Sequence, residues 1–320
     1  MFLQLNKFMD SNCKVPERVS LNYHLFNKAS IPHNLRHLIL DLSRAAKYIS
    51  YAIQTSEAGL SGGTNESGEE QLKLDVLSNT IFEQHLCESD LVCCYSSEEQ
   101  KEIVAITDDA PYSVVFDPLD GSSLVDANFA LGSIIGIFEG KDVIGKTSRD
   151  LVSAIYILYG PRTTLVYSSG SGVHEFLLND VGEFILYREN IGIADDAKNY
   201  SPGNVRDILE YKPYRKVLED WFERKMTIRY SGCMTADVSH IFSKGQGVFT
   251  YPTGSKYPEG KLRLVFECGP LSYLMEQAGG ASSDGTKAIL DIEITDLHQR
   301  TPIIIGSRNE VERVCSLLNK

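Results

Sequence analysis

Between Leu91 and Tyr187 the chain passes through seven short apolar segments, rich in β-branched and aromatic residues and separated by Gly and Asp. They are Leu91–Cys94, Ser113–Phe116, Gly132–Phe138, Ala154–Tyr159, Thr164–Tyr167, Glu175–Leu178 and Glu183–Tyr187. Such a succession reads as a sheet and constrains the fold more than any other feature. Ahead of it, Asn34–Ile53 carries Leu35, Leu38, Leu42, Ile49 and Ile53 on one stripe behind Pro32, which predicts an amphipathic helix. A second helix is expected from about Leu72 to Leu86. Between the two, Glu57–Gln71 has little to bury and reads as a surface loop or a flap over a site.

Ile191–Asn204, with its Gly, Asp, Asn, Ser and Pro, is the expected boundary between an N-terminal domain, 1–195, and a C-terminal domain, 196–320. Beyond it, strands are expected at Thr227–Tyr230, Val248–Tyr251, Leu262–Phe266, Ala288–Ile292 and Pro302–Ile305. Helices are expected at Asp237–Phe242, Pro270–Ala278 and Asn309–Leu318. Both halves mix strand and helix, so the class is α/β or α+β with layered sheets and helices. A chain of 320 residues is long enough for two domains and a sizeable core.

Lys and Arg number 31 against 43 Asp and Glu, a net charge of −12. That balance argues against a nucleic-acid-binding surface, since nothing would neutralise the phosphates. A small anionic substrate stays open if metal ions or local cations invert the sign inside a site. The apolar stretch Phe129–Phe138 is far shorter than the ~20 residues of a membrane helix. Met1–Phe8 lacks signal- or transit-peptide features, so a soluble, cytoplasmic protein is expected. The seven cysteines form no CxxC pair and read as buried small hydrophobes in a reducing compartment; Cys93 and Cys94, on a strand, should face opposite sides. Of the seven histidines only His33 and His37 share a helical face, without a third ligand, so no zinc site is expected.

Acidic residues recur just past the expected strands. Leu91–Cys94 runs into Glu98–Glu99, Ser113–Phe116 into Asp117-Pro118-Leu119-Asp120-Gly121-Ser122-Ser123, and Leu262–Phe266 delivers Glu267. A turn begun by Pro118 would swing Asp117 and Asp120 toward one point, and Gly121-Ser122-Ser123 offers backbone N–H groups that can cradle an anion. Carboxylates gathered at one point repel, and hard, oxygen-liking cations such as Mg²⁺ relieve that repulsion. Glu98–Glu99 taken alone reads first as a pair that solvates a loop; an apolar strand feeding the whole Asp117–Ser123 run is a far less ordinary combination.

These residues carry a resemblance. Phe116–Ser123 resembles the signature of the lithium-sensitive, Mg²⁺-dependent sugar- and inositol-phosphate phosphatases. Gly260-Lys261-Leu262-Arg263-Leu264-Val265-Phe266-Glu267, with Pro270 and Ala278-Gly279-Gly280, narrows it to the fructose-1,6-bisphosphatase and sedoheptulose-1,7-bisphosphatase group, from Asn34 to Arg313. Leu124–Phe129, Tyr159–Thr164, His174–Leu178, Ser201–Arg206 and Ser282–Gly285 look more like the sedoheptulose enzymes; Pro258–Lys261 and Asp296–Arg300 look more like the fructose enzymes. The sedoheptulose reading is favoured, with a fructose or dual-specificity enzyme as the alternative.

The resemblance implies a layered αβαβα sugar-phosphatase fold of two α/β halves with the active site between them, and a homodimer or homotetramer. It implies Mg²⁺-dependent hydrolysis of the 1-phosphate by a metal-activated water, with about two or three Mg²⁺ per site, or Mn²⁺. As metal ligands it implies Glu69 (Asp in the family), Glu98, Asp117, the Leu119 carbonyl, Asp120 and Glu267. Asp75 and Glu99 match residues that orient or deprotonate the water. Asp120, Gly121, Ser122 and Ser123 match the binding loop of the departing phosphate. Asn204 and Arg206, where the fructose enzymes have Asn-Glu-Gly-Tyr, match the sugar and distal-phosphate grip, together with Arg229, Tyr230, Gly232, Met234, Tyr251, Lys261 and Arg263. Arg229 would reach a neighbouring subunit's site. Taken without the resemblance, Tyr230 and Tyr251 could be core aromatics and Arg229 a surface ion pair. Ser56–Ser67 holds no Cys and Ala29–Asn34 no Gly-Thr-Gly-Glu loop, so neither thioredoxin nor AMP control is expected. A sugar-phosphate-binding scaffold would have lost an acidic position, and a monophosphatase would not need Lys261, Tyr251 and the Arg229 segment.

Overall fold

The computed structural model describes residues 18–55, 60–64 and 70–319. Eight strands form the larger sheet: β1 Val92–Ser97, β2 Val104–Ala105, β3 Tyr112–Asp120, β4 Leu131–Glu139, β5 Leu151–Tyr159, β6 Thr163–Ser168, β7 His174–Leu178 and β8 Phe184–Arg188, in the order β8-β7-β6-β5-β4-β3-β1-β2. β1 and β3 are parallel and the other neighbours antiparallel. Its central strands are buried on both faces, which is why they read as unbroken apolar runs. Phe116, Ile135, Ile157 and Tyr167 pack on one side against helices α1 His33–Thr55 and α2 Lys73–Glu88, through Leu38, Leu42, Ile49 and Phe82. Alternate residues Val115, Ile134, Tyr156 and Val166 point the other way, as period-two geometry requires.

That second face meets α4 Met234–Lys244 and α5 Gly269–Gln277 through Val238, Phe242, Leu271 and Leu274. Behind these lies a five-stranded sheet of β9 Asn199–Pro202, β10 Thr227–Ile228, β11 Val248–Tyr251, β13 Ala281–Ser283 and β15 Ile303–Gly306, in the order β10-β9-β11-β15-β13. A further pair, β12 Leu262–Arg263 and β14 Arg300–Thr301, stands apart from it. The outer layer is α3 Lys212–Glu223 and α6 Arg308–Leu318, whose Val217, Trp221, Val311 and Val314 cover Tyr200, Val248 and Ile304. Helix, sheet, helix, sheet, helix: the αβαβα layering is present. Among the described residues no helix is long and apolar enough to cross a membrane.

Several expectations need correction. Leu262–Phe266 is a strand only over Leu262–Arg263; a π-helical turn, Leu264–Cys268, follows and carries Glu267. Ala288–Ile292 forms no strand but a 3₁₀ turn over Ile289–Asp291. Both are short, mostly apolar runs with a single charged residue each, Arg263 and Asp291, too short for periodicity to separate strand from helix. The expected boundary stretch 191–204 also holds β9, whose Tyr200 ring lies tilted, 4.6 Å centre to centre, against Trp221. β3 does not turn at Pro118 but continues to Asp120 through an irregular register between Asp117 and Asp120. A similar shift between Val92 and Cys94 brings the Cys93 and Cys94 sulfurs to 3.8 Å instead of to opposite faces. Burial, then Cys93, pushes the Cys94 thiol up to about 12. Cys87 is exposed and Cys315 half-buried, so not all thiols are core residues.

Candidate active site

A cavity of about 600 Å³ opens where the C-terminal ends of β1 and β3 meet the start of α4 and the Leu264–Cys268 turn. Glu98 follows β1 directly, its N–H donating to the Phe116 carbonyl at 3.0 Å, and the Glu99 N–H donates to Ser97 Oγ at 3.2 Å. Asp75 enters from the first turn of α2 and is buried. The irregular end of β3 lets Asp117, Leu119 and Asp120 all reach the cavity, although a regular strand would set Asp117 and Asp120 on opposite faces. Asp117 is pinned by accepting from the Leu119 N–H at 2.9 Å.

Carboxylate oxygens of Glu98, Asp117 and Glu267 lie within 4.8 Å of one another. Burial, then the neighbouring Glu98, Asp120 and Glu267, hold the Asp117 carboxyl well above its ordinary range. Burial and Glu98 likewise lift Glu267 to about 8. Such shifts mark buried carboxylates crowded by like charge and only partly compensated. One opposing charge is Arg263, whose guanidinium pairs with Glu98 and whose N–H donates to Glu267 Oε2 at 2.6 Å. Arg263 thus lines the cavity beside the carboxylate cluster, where the resemblance implied a sugar and distal-phosphate grip. An all-oxygen donor set of this kind fits a hard divalent cation such as Mg²⁺ or Mn²⁺, not zinc.

Asp120 Oδ2 accepts from the Thr235 N–H at 2.6 Å and from the Cys233 thiol at 3.2 Å, so the positive end of α4 compensates it. After Asp120 the chain reverses at Gly121 (φ +81°), where a Cβ would stand 2.7 Å from Cys233 Cβ. Glycine is needed there on both counts. The following turn, Ser122–Leu124, is closed by the Leu124 N–H donating to the Gly121 carbonyl at 2.8 Å.

Gly121, Ser122, Ser123, Arg206, Tyr230, Gly232, Met234, Tyr251 and Lys261 also line the cavity. Burial raises the Tyr230 hydroxyl to about 12, with Tyr251 adding and Arg206 opposing, which places these three together. Asn204 and Arg229 do not line it. Asn204 sits in a left-handed turn (φ +50°), its Nδ2 donating to Asp207 at 3.1 Å and to the Thr253 carbonyl at 3.3 Å. Arg229 is exposed and donates to the Ile228 carbonyl at 2.8 Å. Glu69 lies outside the described residues. Sequence reasoning missed Arg300, which lines the cavity, pairs across the short ladder with Arg263 and donates to the Lys261 carbonyl. Its signal was available, a cationic residue between His298 and Thr301, but Asp296–Arg300 carried only a family likeness.

On this fold, with these carboxylates beside an anion-cradling turn, the protein is a phosphoric monoester hydrolase. The family models for the fructose-1,6-bisphosphatase N-terminal and C-terminal domains match residues 20–189 and 193–319. The chain belongs to the fructose-1,6-bisphosphatase family and is a sugar bisphosphate phosphatase. It is 47% identical over 301 residues to a fructose-1,6-bisphosphatase class 1 of Geobacter sulfurreducens (93% of this chain, 95% of the relative). A Synechocystis protein of the same name is 40% identical, covering 98% of this chain and 95% of the relative. Among solved structures, the holo form of Leishmania major fructose-1,6-bisphosphatase superposes with a TM-score of 0.88 at 33% identity, covering 95% and 99% of the two chains. A Toxoplasma gondii structure, provisionally assigned as a sedoheptulose-1,7 bisphosphatase, also gives 0.88, at 31% identity over 94% and 98%.

Proposed function

We propose that the protein removes the 1-phosphate of fructose 1,6-bisphosphate in a Mg²⁺-dependent hydrolysis. The fructose name of the curated relatives weighs against the sedoheptulose preference drawn from sequence stretches. Sedoheptulose 1,7-bisphosphate remains the second reading, supported by Gly203-Asn204-Val205-Arg206 and by the Toxoplasma neighbour. The observation that carries the bisphosphatase reading is the composition of one cavity: a carboxylate cluster and, in the same space, Arg206, Lys261 and Arg300 with Tyr230 and Tyr251.

Glu98, Asp117, Asp120, Glu267 and the Leu119 carbonyl would hold the cations, with Glu69 as a further ligand. Bound Mg²⁺ would supply charge for the phosphoryl oxygens and acidify a water. Asp75 and Glu99 take the proton. The Gly121–Ser123 N–H groups and hydroxyls receive the departing phosphate, while Lys261 and Arg206 hold the distal one and Met234, Gly232 and the two tyrosines border the sugar. Arg229, exposed next to Tyr230, reaches a second copy in a homo-oligomer. Two domains are supported by the family models, which meet between residues 189 and 193, a few positions before the division at 195/196. Turnover of both bisphosphates with and without Mg²⁺ tests the reading. A higher kcat/KM for the fructose substrate is expected. Metal-independent turnover, or a preference for monophosphates, would overturn it.

A further inference from the structure

Far from the cavity, His24, His174 and Glu189 each bring one ligand atom to within 4.8 Å of the others. We propose that these three side chains form a Zn²⁺ site that ties the N-terminal segment to the β7–β8 edge of the larger sheet.

His24 lies on the π-helical turn His24–Lys28, His174 opens β7, and Glu189 follows β8, so the ligands come from three separate stretches of chain. His24 Nε2 stands 3.4 Å from Glu189 Oε1. For ligand bonds of about 2.0–2.1 Å, tetrahedral neighbours around zinc lie roughly 3.4 Å apart. The other His24 nitrogen, Nδ1, is 2.8 Å from the buried Tyr167 hydroxyl, which orients the ring as an outer partner does at zinc sites. The His174 ring is steered from both sides, Nε2 by the Ser171 carbonyl at 3.1 Å and Nδ1 by the Asn190 N–H at 3.4 Å; the ion would replace one of these contacts. The two imidazoles lie 4.6 Å apart, centre to centre.

Both histidines are buried, whereas the Glu189 side chain is 40% exposed, which leaves an entry path and room for a water as fourth ligand. Burial lowers the His174 pKa and so keeps the ring neutral, the form that ligates. Two imidazoles and one carboxylate form a donor set that suits zinc and other borderline transition metals, whereas the all-oxygen cluster in the cavity suits magnesium.

The probe is Co²⁺, added stoichiometrically to the full chain in saturating Mg²⁺. A nitrogen-ligated, four-coordinate Co²⁺ absorbs visible light far more strongly than an all-oxygen, six-coordinate one. One equivalent should give the strong band in the wild type and in Asp117→Asn. Zn²⁺ should displace it. His24→Ala and His174→Ala should lose the band while keeping Mg²⁺-supported phosphatase turnover, and Glu189→Gln should weaken Co²⁺ binding at least about tenfold. The proposal fails if the wild type shows no band. It also fails if the band survives His174→Ala but disappears in Asp117→Asn, since the ion would then sit among the cavity's carboxylates. Because His33 and His37 form a second histidine pair, Glu189→Gln, a change at a side chain 40% exposed, locates the band if a histidine variant does not fold: undiminished Co²⁺ binding there would overturn the site.

Discussion

Lys261 reaches the cavity from a backbone with little freedom. Gly260 before it has φ +92°, and a Cβ there would stand 2.2 Å from the Thr301 carbonyl carbon. The Lys261 carbonyl accepts from the Arg300 guanidinium, so the residue that carries one cation is braced by a second. In the proposed distal-phosphate role, a cation fixed in this way would turn binding energy into positioning of the phosphate that is cleaved. A hydrogen bond to a charged group is worth about 1.5–3 kcal/mol, so Lys261→Ala should lower kcat/KM on a bisphosphate roughly ten- to a hundredfold. The same change should have little effect on a monophosphate of the same sugar. Equal losses on both substrates would show that Lys261 supports the fold, not the distal phosphate.

α3 illustrates what an element contributes away from the chemistry. Tyr214, Val217, Leu218 and Trp221 form its buried stripe, and Pro213 sits in its first turn. Trp221, the chain's single tryptophan, donates Nε1–H to Glu310 Oε1 at 2.7 Å, and Arg224 holds the same carboxylate at 2.6 and 2.9 Å. Trp221→Phe removes one donor from a buried carboxylate and should destabilise the protein by about 1–3 kcal/mol. A urea midpoint unchanged by circular dichroism would mean that Arg224 alone suffices. The i, i+3, i+4, i+7 spacing of this helix was legible in the sequence, yet the polar stretch before it drew attention to a loop. Strands of the larger sheet were legible because β-branched runs between turn residues leave few alternatives. The Leu264–Cys268 turn was not, because all five of its residues are buried and its one charged side chain, Glu267, points into the site, so no solvated face reveals a period. For the site, the strand-end acids and the glycine turn could be read directly. That Arg263 pairs with Glu98 could not, since the two are joined only by tertiary packing across 165 positions.

The whole molecule concentrates negative charge where its layers meet, and that arrangement links its stability to cations and to pH. In chelator-treated protein, burial and the neighbouring carboxylates hold Asp117 above its ordinary range, and Glu267 rises from 4.5 to about 8. A carboxyl whose pKa is higher in the fold than in the unfolded chain binds its proton more tightly in the fold. Its contribution is fully present below the unfolded value and is lost as pH rises through the folded one. From Asp117 and Glu267, stability should therefore fall as pH climbs from about 4.5 toward 8. Mg²⁺ held as proposed, by the charged carboxylates of the folded state only, should restore stability most at the alkaline end. At a hundred times its Kd, one ion contributes about 2.7 kcal/mol. The check is a set of melting curves at pH 6 and pH 8, with chelator and with Mg²⁺, for the wild type and Asp117→Asn. The Mg²⁺-induced rise in Tm should be larger at pH 8 and should shrink in Asp117→Asn, whose chelated form should also lose less stability between the two pH values. A wild-type Tm at pH 8 that ignores Mg²⁺ would show that these carboxylates are not where the protein holds its cations.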